Sequence, residues 1–178
     1  MKKIITLLAI LVMSSNFAFA QKTLETKTAQ VRFIAVDDHD IDALNKEAVS
    51  RLEPNGKLSF IMLAKGFHFD MSKMEEHFNS EYIESDKFPR AFFNGQITNI
   101  KTVDFKKDGK YPIAVTGNMQ VHGVNKAIQT NGVIEIKNGV VKANAQFTVT
   151  LKDFGIGGIM IKMVADKINV EVTASYPQ

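Results

Sequence analysis

Four histidines are the side chains of this sequence best suited to metal binding or proton transfer: His39, His68, His77 and His122. Zinc sites need ligands that converge from close spacings or from facing strands. His68 and His77 lie nine positions apart, and no His-Glu-x-x-His motif is present. The sequence has no cysteine, which removes thiolate ligands and thiolate nucleophiles. Neither a metal nor any other cofactor is therefore expected.

His39 lies within an acidic segment, Asp37–Asp42, with the sequence DDHDID. Carboxylates in this number could bind a hard cation such as Ca²⁺. The segment lacks the ligand spacing and the turn glycine of a calcium-binding EF-hand loop. A solvated acidic loop is therefore favoured over a metal site.

Several carboxylates lie near His77 in the sequence: Glu75, Glu76, Glu81 and Glu84. On a helix, the adjacent Glu76 and His77 point to different faces, so they do not form an acid–base pair by themselves. Nucleophile-elbow, phosphate-loop and dinucleotide-binding motifs are all missing from the sequence. The glycines of Gly155–Gly158 indicate a flexible turn. The sequence therefore predicts that the protein is not an enzyme.

The first twenty residues have the layout of a secretory signal peptide. Lys2 and Lys3 supply the positive start, Ile4–Val12 is almost entirely apolar, and Ala18–Ala20 offers a small-x-small cleavage site. The apolar run is too short to span a bilayer. We expect cleavage near Gln21 and export to the periplasm or the medium. The mature protein is expected to contain no transmembrane segment.

Residues 21–178 are expected to form one domain, since their number suits a single core. Of the 22 basic residues, removal of Lys2 and Lys3 leaves 20, against 19 acidic residues, so the net charge falls to about +1. These charges are interspersed, which argues against a nucleic-acid partner. No disulfide can form without cysteine, so the core must supply the stability. The sequence leaves the oligomeric state open.

Around the middle of the chain, two strand-like segments flank a short helical insert. Leu58–Phe69 resembles a strand whose phase slips, which predicts a β-bulge at Gly66. Ser72 and Glu75 fit a capping box at the start of the insert. The preceding segment, Ala43–Arg51, could be a short helix or could run into a strand.

Alternating apolar and polar residues predict the remaining strands, each with one wet and one buried face. The segments concerned are 21–36, 91–97, 113–121, 128–136, 141–151 and 168–174. About eight strands joined by short turns favour an all-β antiparallel barrel, with a two-sheet sandwich as the alternative. The long strands, and a last strand able to close against the first, favour the barrel. An eight-stranded barrel is filled by side chains or holds one small ligand.

Phenylalanine and methionine are concentrated on the predicted inner face and on the insert. After removal of the first twenty residues, eleven of the 13 Phe and six of the 8 Met remain, with no Trp. Methionine is flexible and polarisable, which suits a wall that adapts to an apolar chain. Composition alone favours an ordinary core over a pocket. The residues concerned are Phe60, Met62, Met74, Phe78, Phe93, Met119 and Phe147, with Met160 and Met163 near the glycine turn.

Three segments of the sequence resemble the YceI-like family: Glu75–Ile97, Tyr111–Ile128, and Leu151–Gly158 followed by Ile168–Val172. The resemblance covers essentially the whole mature chain. It implies a lipocalin-like fold, an extended eight-stranded antiparallel barrel with helical insertions, in proteins that are often periplasmic. Some members are similar to polyisoprenoid-binding proteins. The tryptophan that often opens the family pattern is missing here.

The resemblance implies that the partner is a small amphipathic lipid of the isoprenoid, quinone or fatty acyl type. The expected tunnel lining is Phe60, Met62, Phe93, Met119, Val121, Phe147 and Val149, with Met74 and Phe78 at a closed end or lid. His77 or His122 would reach a polar headgroup at the mouth. An alternative is that Glu76, His77, Phe78, Asn79, His122 and Gly123 only mark the fold. Two other functions remain open: a ligand-free envelope or stress-response protein acting through partner contacts, and a hydrolase or metalloenzyme.

Overall fold

The computed structural model of the protein describes residues 22–37, 40–157 and 166–177. The predicted signal peptide, His39, Met160 and Met163 lie outside these residues. The strands in the described residues are β1 (Leu24–Ala35), β2 (Asp42–Leu52), β3 (Lys57–Leu63), β4 (His68–Phe69), β5 (Arg90–Ile97), β6 (Gly109–Val121), β7 (Val124–Lys137), β8 (Val140–Thr150) and β9 (Lys167–Pro177). The insert is helix α1 (Ser72–His77) with a π turn (Phe78–Tyr82), and 3₁₀ turns occupy Ala64–Gly66, Ile100–Thr102 and Leu151–Phe154.

A single antiparallel sheet closes on itself to form the barrel. The strand order is β1-β9-β8-β7-β6-β5-β3-β2, and β2 pairs back with β1. The two-residue β4 continues the line of β3 along β2. Closure leaves the eight long strands without a free edge, so they expose no row of unpaired backbone groups that could pair with another chain. The predicted all-β, lipocalin-like barrel of about eight strands with a short helical insert is confirmed, and the sandwich alternative is wrong.

Strand β2 occupies the segment for which the sequence allowed a helix or a strand. Its sequence, DALNKEAVSRL, contains good helix formers. In the barrel the segment pairs with β1 on one side and with β3 and β4 on the other. Ala43, Asn45, Ala48, Ser50 and Leu52 are buried along it. Pairing on both edges outweighs the local helix propensity, as is usual for strands inside a sheet.

The predicted bulge at Gly66 is wrong, because β3 ends at Leu63 and a 3₁₀ turn follows. The cause is Asn45, which is 1% exposed and donates a hydrogen bond from its amide nitrogen to the carbonyl of Leu63, at 3.0 Å. A Cβ atom on Gly66 would lie 2.6 Å from that amide nitrogen. The buried amide of Asn45 therefore leaves no room for a side chain at position 66, and the chain turns there instead of continuing as a strand.

The predicted capping box of Ser72 and Glu75 is also wrong. Met71 precedes helix α1, and no side chain caps the helix. The Glu75 carboxylate instead accepts a hydrogen bond from the backbone N–H of Phe69, at 3.1 Å. This bond ties the insert to β4. The carbonyl of Phe78 then accepts the N–H of Ile83, five residues on, which closes the π turn.

One end of the barrel is closed by packed side chains; we call it the closed end. The largest fully buried residues at this end include Leu52, Ile97, Ile134 and Tyr176, each close to the end of its strand. Tyr176 and Ser50 are both fully buried, and their hydroxyl oxygens are 2.6 Å apart. At the opposite end, which we call the insert end, α1, the π turn and the turn between β6 and β7 meet.

Tyr176 is expected to make stability fall steeply in alkali. Burial raises the pKa of Tyr176 from its ordinary 10.0 to about 12, and the Ser50 hydrogen bond only partly offsets this. The pKa of Tyr176 is higher in the folded state than in the unfolded state, so the protonated side chain contributes fully to the free energy of unfolding below pH 10. This contribution is lost as pH rises towards 12. The free energy of unfolding should decrease by roughly 2–3 kcal/mol over this range. Urea unfolding at a series of pH values measures it.

Tyr176→Phe is the matched variant for this measurement. It leaves the buried Ser50 hydroxyl without its partner, so we expect a loss of about 1–3 kcal/mol at neutral pH. The extra alkaline decrease should be missing from the variant. Equal pH dependence in the two proteins would contradict the role of Tyr176.

Candidate functional site: an apolar cavity inside the barrel

The barrel contains a cavity of about 460 Å³ between the closed end and the insert end. Side chains from all nine strands and from α1 border it, and nearly all of them are apolar. Small-molecule sites in proteins are typically apolar cavities of roughly 300–1,000 Å³ with a few polar groups. The interior therefore has the size and the chemistry of a site for one small apolar ligand.

All eleven residues predicted to contact a ligand border this cavity: Phe60, Met62, Met74, Phe78, His77, Phe93, Met119, Val121, His122, Phe147 and Val149. Several on the strands, including Met62, Phe93, Met119 and Phe147, are only partly buried although they belong to the inner face. Partial burial on an inner face indicates that these side chains face open space. Their role in ligand binding stays a prediction.

Two glycines leave space for the Phe93 ring against the cavity wall. Gly95 of β5 lies opposite Gly117 of β6. A Cβ atom on Gly117 would lie 2.7 Å from the Phe93 ring and 2.5 Å from the carbonyl oxygen of Asn94. The missing side chains therefore leave room for the ring to lie across both strands. This arrangement keeps the ring out of the middle of the cavity.

Four phenylalanines form a cluster at the insert end, which we call the phenylalanine cluster: Phe33, Phe67, Phe69 and Phe78. Phe33 of β1 has ring centroids of the other three within 5.2, 5.6 and 5.5 Å. Phe78 also contacts Phe67 and Phe69, at 5.9 and 5.2 Å. The cluster therefore fastens the π turn to the barrel wall. Met74 and Phe78 border the cavity at this end, opposite the closed end.

His122 joins three parts of the chain at the insert end. Its Nε2 lies 2.8 Å from the Glu84 carboxylate, and its Nδ1 lies 3.3 Å from the carbonyl oxygen of Phe154. The ring also meets the edge of Phe88, with centroids 4.4 Å apart. A carbonyl oxygen only accepts hydrogen bonds, so the ring donates from Nδ1 to Phe154. On the insert, His77 Nδ1 lies 2.9 Å from Glu81.

Removal of the His122 ring is expected to raise the pKa of Glu84. The hydrogen bond from His122 is the main cause that holds this pKa below its ordinary 4.5, with a smaller contribution from Lys87. The contribution of this pair to the stability of the fold is present above pH 4.5. It is lost as pH falls through the lowered pKa of Glu84. His122→Ala should bring the pKa back towards 4.5, as measured by carbon-13 NMR of the side-chain carboxyl. His77→Ala, which leaves this pair intact, should not; a Glu84 pKa unchanged in His122→Ala would contradict the assignment.

Four basic side chains border the cavity. They are Lys73, His77, Arg90 and His122, and no aspartate or glutamate of the described residues joins them. Lys73 and Arg90 were missed by sequence reasoning, because an exposed helical lysine and the first residue of a strand carry no local signal. Among the described residues, no group of three or more His, Cys, Asp or Glu side chains could hold a metal ion.

Over the described ranges, no helix combines the length and the apolar character needed to cross a membrane.

Comparison with known proteins gives one consistent picture. A family model for the YceI-like domain matches residues 10–176. The fold is similar to that of a polyisoprenoid-binding domain from Saccharophagus degradans implicated in plant cell wall breakdown, with a TM-score of 0.74 and 8% identity over 87% of this chain and 97% of that one. It is also similar to Burkholderia cenocepacia BcnA, with a TM-score of 0.68 and 12% identity over 84% and 96%.

A third similar structure is the YceI protein of Campylobacter jejuni, with a TM-score of 0.57 and 15% identity over 74% of this chain and 81% of that one. No curated protein sequence matches the chain. Identities this low establish a shared fold, and the cavity must be interpreted from its own residues.

Proposed function

The chain belongs to the YceI-like family, and on that basis we propose that it is an exported lipid-binding protein that sequesters or carries one amphipathic molecule inside its barrel. The observation that carries the proposal is the apolar cavity of about 460 Å³. A similar structure is described as a polyisoprenoid-binding domain, which supports a ligand with an apolar chain. Isoprenoid, quinone and fatty acyl tails all fit this description.

The cavity volume limits the length of the buried tail. An engineered cavity of about 150 Å³ binds benzene, which has six carbon atoms. A cavity about three times larger has room for roughly 15–20 carbon atoms. Burial of about 15 methylene groups contributes roughly 12 kcal/mol at ~0.8 kcal/mol each, before the cost of association is subtracted. The gain is large enough to hold a lipid without any covalent bond.

Export is the second part of the proposal, and it rests on the first twenty residues. Lys2, Lys3, the apolar run and the small residues before Gln21 are typical of a cleaved signal peptide. Protein recovered from the periplasm or the medium should have Gln21 at its N-terminus, as determined by intact mass. A mass that retains the first twenty residues would contradict cleavage.

Native mass spectrometry of protein purified without detergent tests the lipid-binding proposal. We expect one bound lipid of defined mass for each chain, which solvent extraction removes and which a fatty acyl probe replaces. Protein that carries no lipid, and that binds no fatty acyl or isoprenoid probe on titration, would overturn the proposal.

A second candidate function is a ligand-free envelope protein that acts through partner contacts. It is favoured by exposed apolar residues on the outside of the barrel. Val49 and Ile61 are directly paired on β2 and β3, and each is more than two-fifths exposed, as is Leu63. Apolar residues grouped outside a barrel are suited to protein contacts. This candidate would gain support if no lipid is found and none binds.

A further inference from the structure

We propose that the ligand carries an anionic headgroup and that Lys73 and Arg90 bind it at the insert end of the cavity. The inference rests on the proposed lipid-binding function and adds the chemical class of the headgroup. Its basis is the distribution of basic side chains around a cavity whose other lining residues are nearly all apolar.

All four basic residues of the cavity belong to the insert end. Lys73 and His77 lie on α1, Arg90 is the first residue of β5, and His122 follows the last residue of β6. Because β5 and β6 are antiparallel, the start of one and the end of the other lie at the same end of the barrel. The closed end is built from buried apolar residues and the Ser50–Tyr176 pair. A polar headgroup is therefore accommodated only at the insert end.

The two histidines are already engaged by carboxylates. His77 holds Glu81 at 2.9 Å, and His122 holds Glu84 at 2.8 Å. Both glutamates are thus drawn into pairs, and neither borders the cavity. Each of the two imidazoles therefore already has a carboxylate beside it. The histidines therefore orient the chain at the insert end, and they leave the binding of a headgroup to other residues.

Lys73 and Arg90 have no such carboxylate partner among the residues that the structure describes. Within the described part of the chain, neither forms an ion pair, whereas Lys65, Lys87 and Lys110 each do. The guanidinium of Arg90 offers five N–H donors in a planar fork that fits carboxylate and phosphate oxygens. Long basic side chains can lay their methylene groups on apolar surface while the charge stays in water. Two unpaired cations beside an apolar cavity complement an amphipathic anion.

The charge of the headgroup can be tested with ligands that share one tail. Hexadecanoic acid, hexadecyl phosphate and hexadecanol are compared by displacement of a fluorescent fatty acyl probe from the mature protein. We expect the acid and the phosphate to bind about tenfold more tightly than the alcohol. The tighter of the two anions identifies the carboxylate or the phosphate as the preferred headgroup.

The variant Lys73→Gln/Arg90→Gln should reduce the preference for the anions to about twofold or less, with the affinity for hexadecanol almost unchanged. Arg51→Gln/Lys101→Gln is the matched control, because it removes the same charge from exposed residues near the closed end that do not border the cavity. This control should keep the tenfold preference. In the unmodified protein, the preference should also shrink as salt is raised from about 20 mM to about 500 mM, because ions screen exposed charges.

Equal affinity for all three ligands in the unmodified protein would overturn the anionic headgroup and leave the lipid-binding function standing. A preference that persists in the Lys73→Gln/Arg90→Gln variant would overturn the assignment to these two residues. Failure of all three ligands to bind would overturn the proposed function itself. The outcomes therefore distinguish the two proposals.

Discussion

Replacement of Ala145 by tryptophan is expected to weaken lipid binding by at least about 100-fold while the barrel stays folded. Ala145 lies on β8, borders the cavity and is paired with Gly132 and Val172. An indole placed there would fill roughly the space of a cavity that holds benzene, about 150 Å³, or a third of the cavity in this barrel. Displacing about six carbon atoms of the tail costs roughly 5 kcal/mol at ~0.8 kcal/mol each. Titration of a fatty acyl probe measures the loss.

Lys142→Trp is the matched control for this substitution. Lys142 lies on the same strand, three residues earlier, and its side chain is exposed on the outer face. The chain has no tryptophan of its own, so the single indole also reports its surroundings by fluorescence. Emission should be blue-shifted in Ala145→Trp and water-like in Lys142→Trp. Unchanged lipid affinity in a folded Ala145→Trp variant would mean that the ligand does not lie in the cavity.

The barrel wall could be predicted from sequence because alternation is a local property. Phe147 and Val149 face the cavity while Thr148 between them is exposed, as the two-residue period of a strand requires. The same reasoning placed Phe60, Met62 and Met119 on the inner face. An alternating pattern indicates which face of a strand is buried, and this does not depend on which strand pairs with it.

Features that depend on contacts between distant segments could not be predicted. The break after Leu63 depends on the buried amide of Asn45, eighteen residues earlier. The Ser50–Tyr176 pair at the closed end joins residues separated by 126 positions. Which end of the barrel is packed, and how much space remains above it, follows only from the register of all eight strands. The sequence therefore indicated an inner face and left open whether it was filled.

The insert end shows the same limit. His77 and His122 attracted attention because histidine is chemically distinctive, and both do border the cavity. The carboxylate that engages His122 comes from Glu84, 38 residues away. Only the fold shows that this histidine is already paired, whereas Lys73 and Arg90 form no ion pair with any residue that the structure describes. Residue type alone could not show which of these four side chains is already engaged by a carboxylate.

Replacement of Phe33 by alanine is expected to lower the free energy of unfolding by about 3–5 kcal/mol and to loosen the insert. Phe33 is 8% exposed, and its ring contacts three others of the phenylalanine cluster. Phe→Ala in a core removes buried area and leaves a void, and lost aromatic pairs add to the cost. Because Phe78 is fastened to the wall through these rings, amides of residues 72–82 should exchange faster. Urea unfolding and hydrogen exchange measure the two effects.

Phe105→Ala is the control, since Phe105 is half-buried in the loop before β6 and does not border the cavity. Its loss of stability should be smaller, and exchange in the insert should not change. Since Phe33 borders the cavity, the void left by its ring is continuous with the cavity, and bound lipid should restore part of the lost stability in Phe33→Ala alone. If Phe33→Ala proves no more costly than Phe105→Ala, then the phenylalanine cluster is not what holds the insert over the cavity, and α1 must be held by other contacts, such as the Glu75 bond to β4.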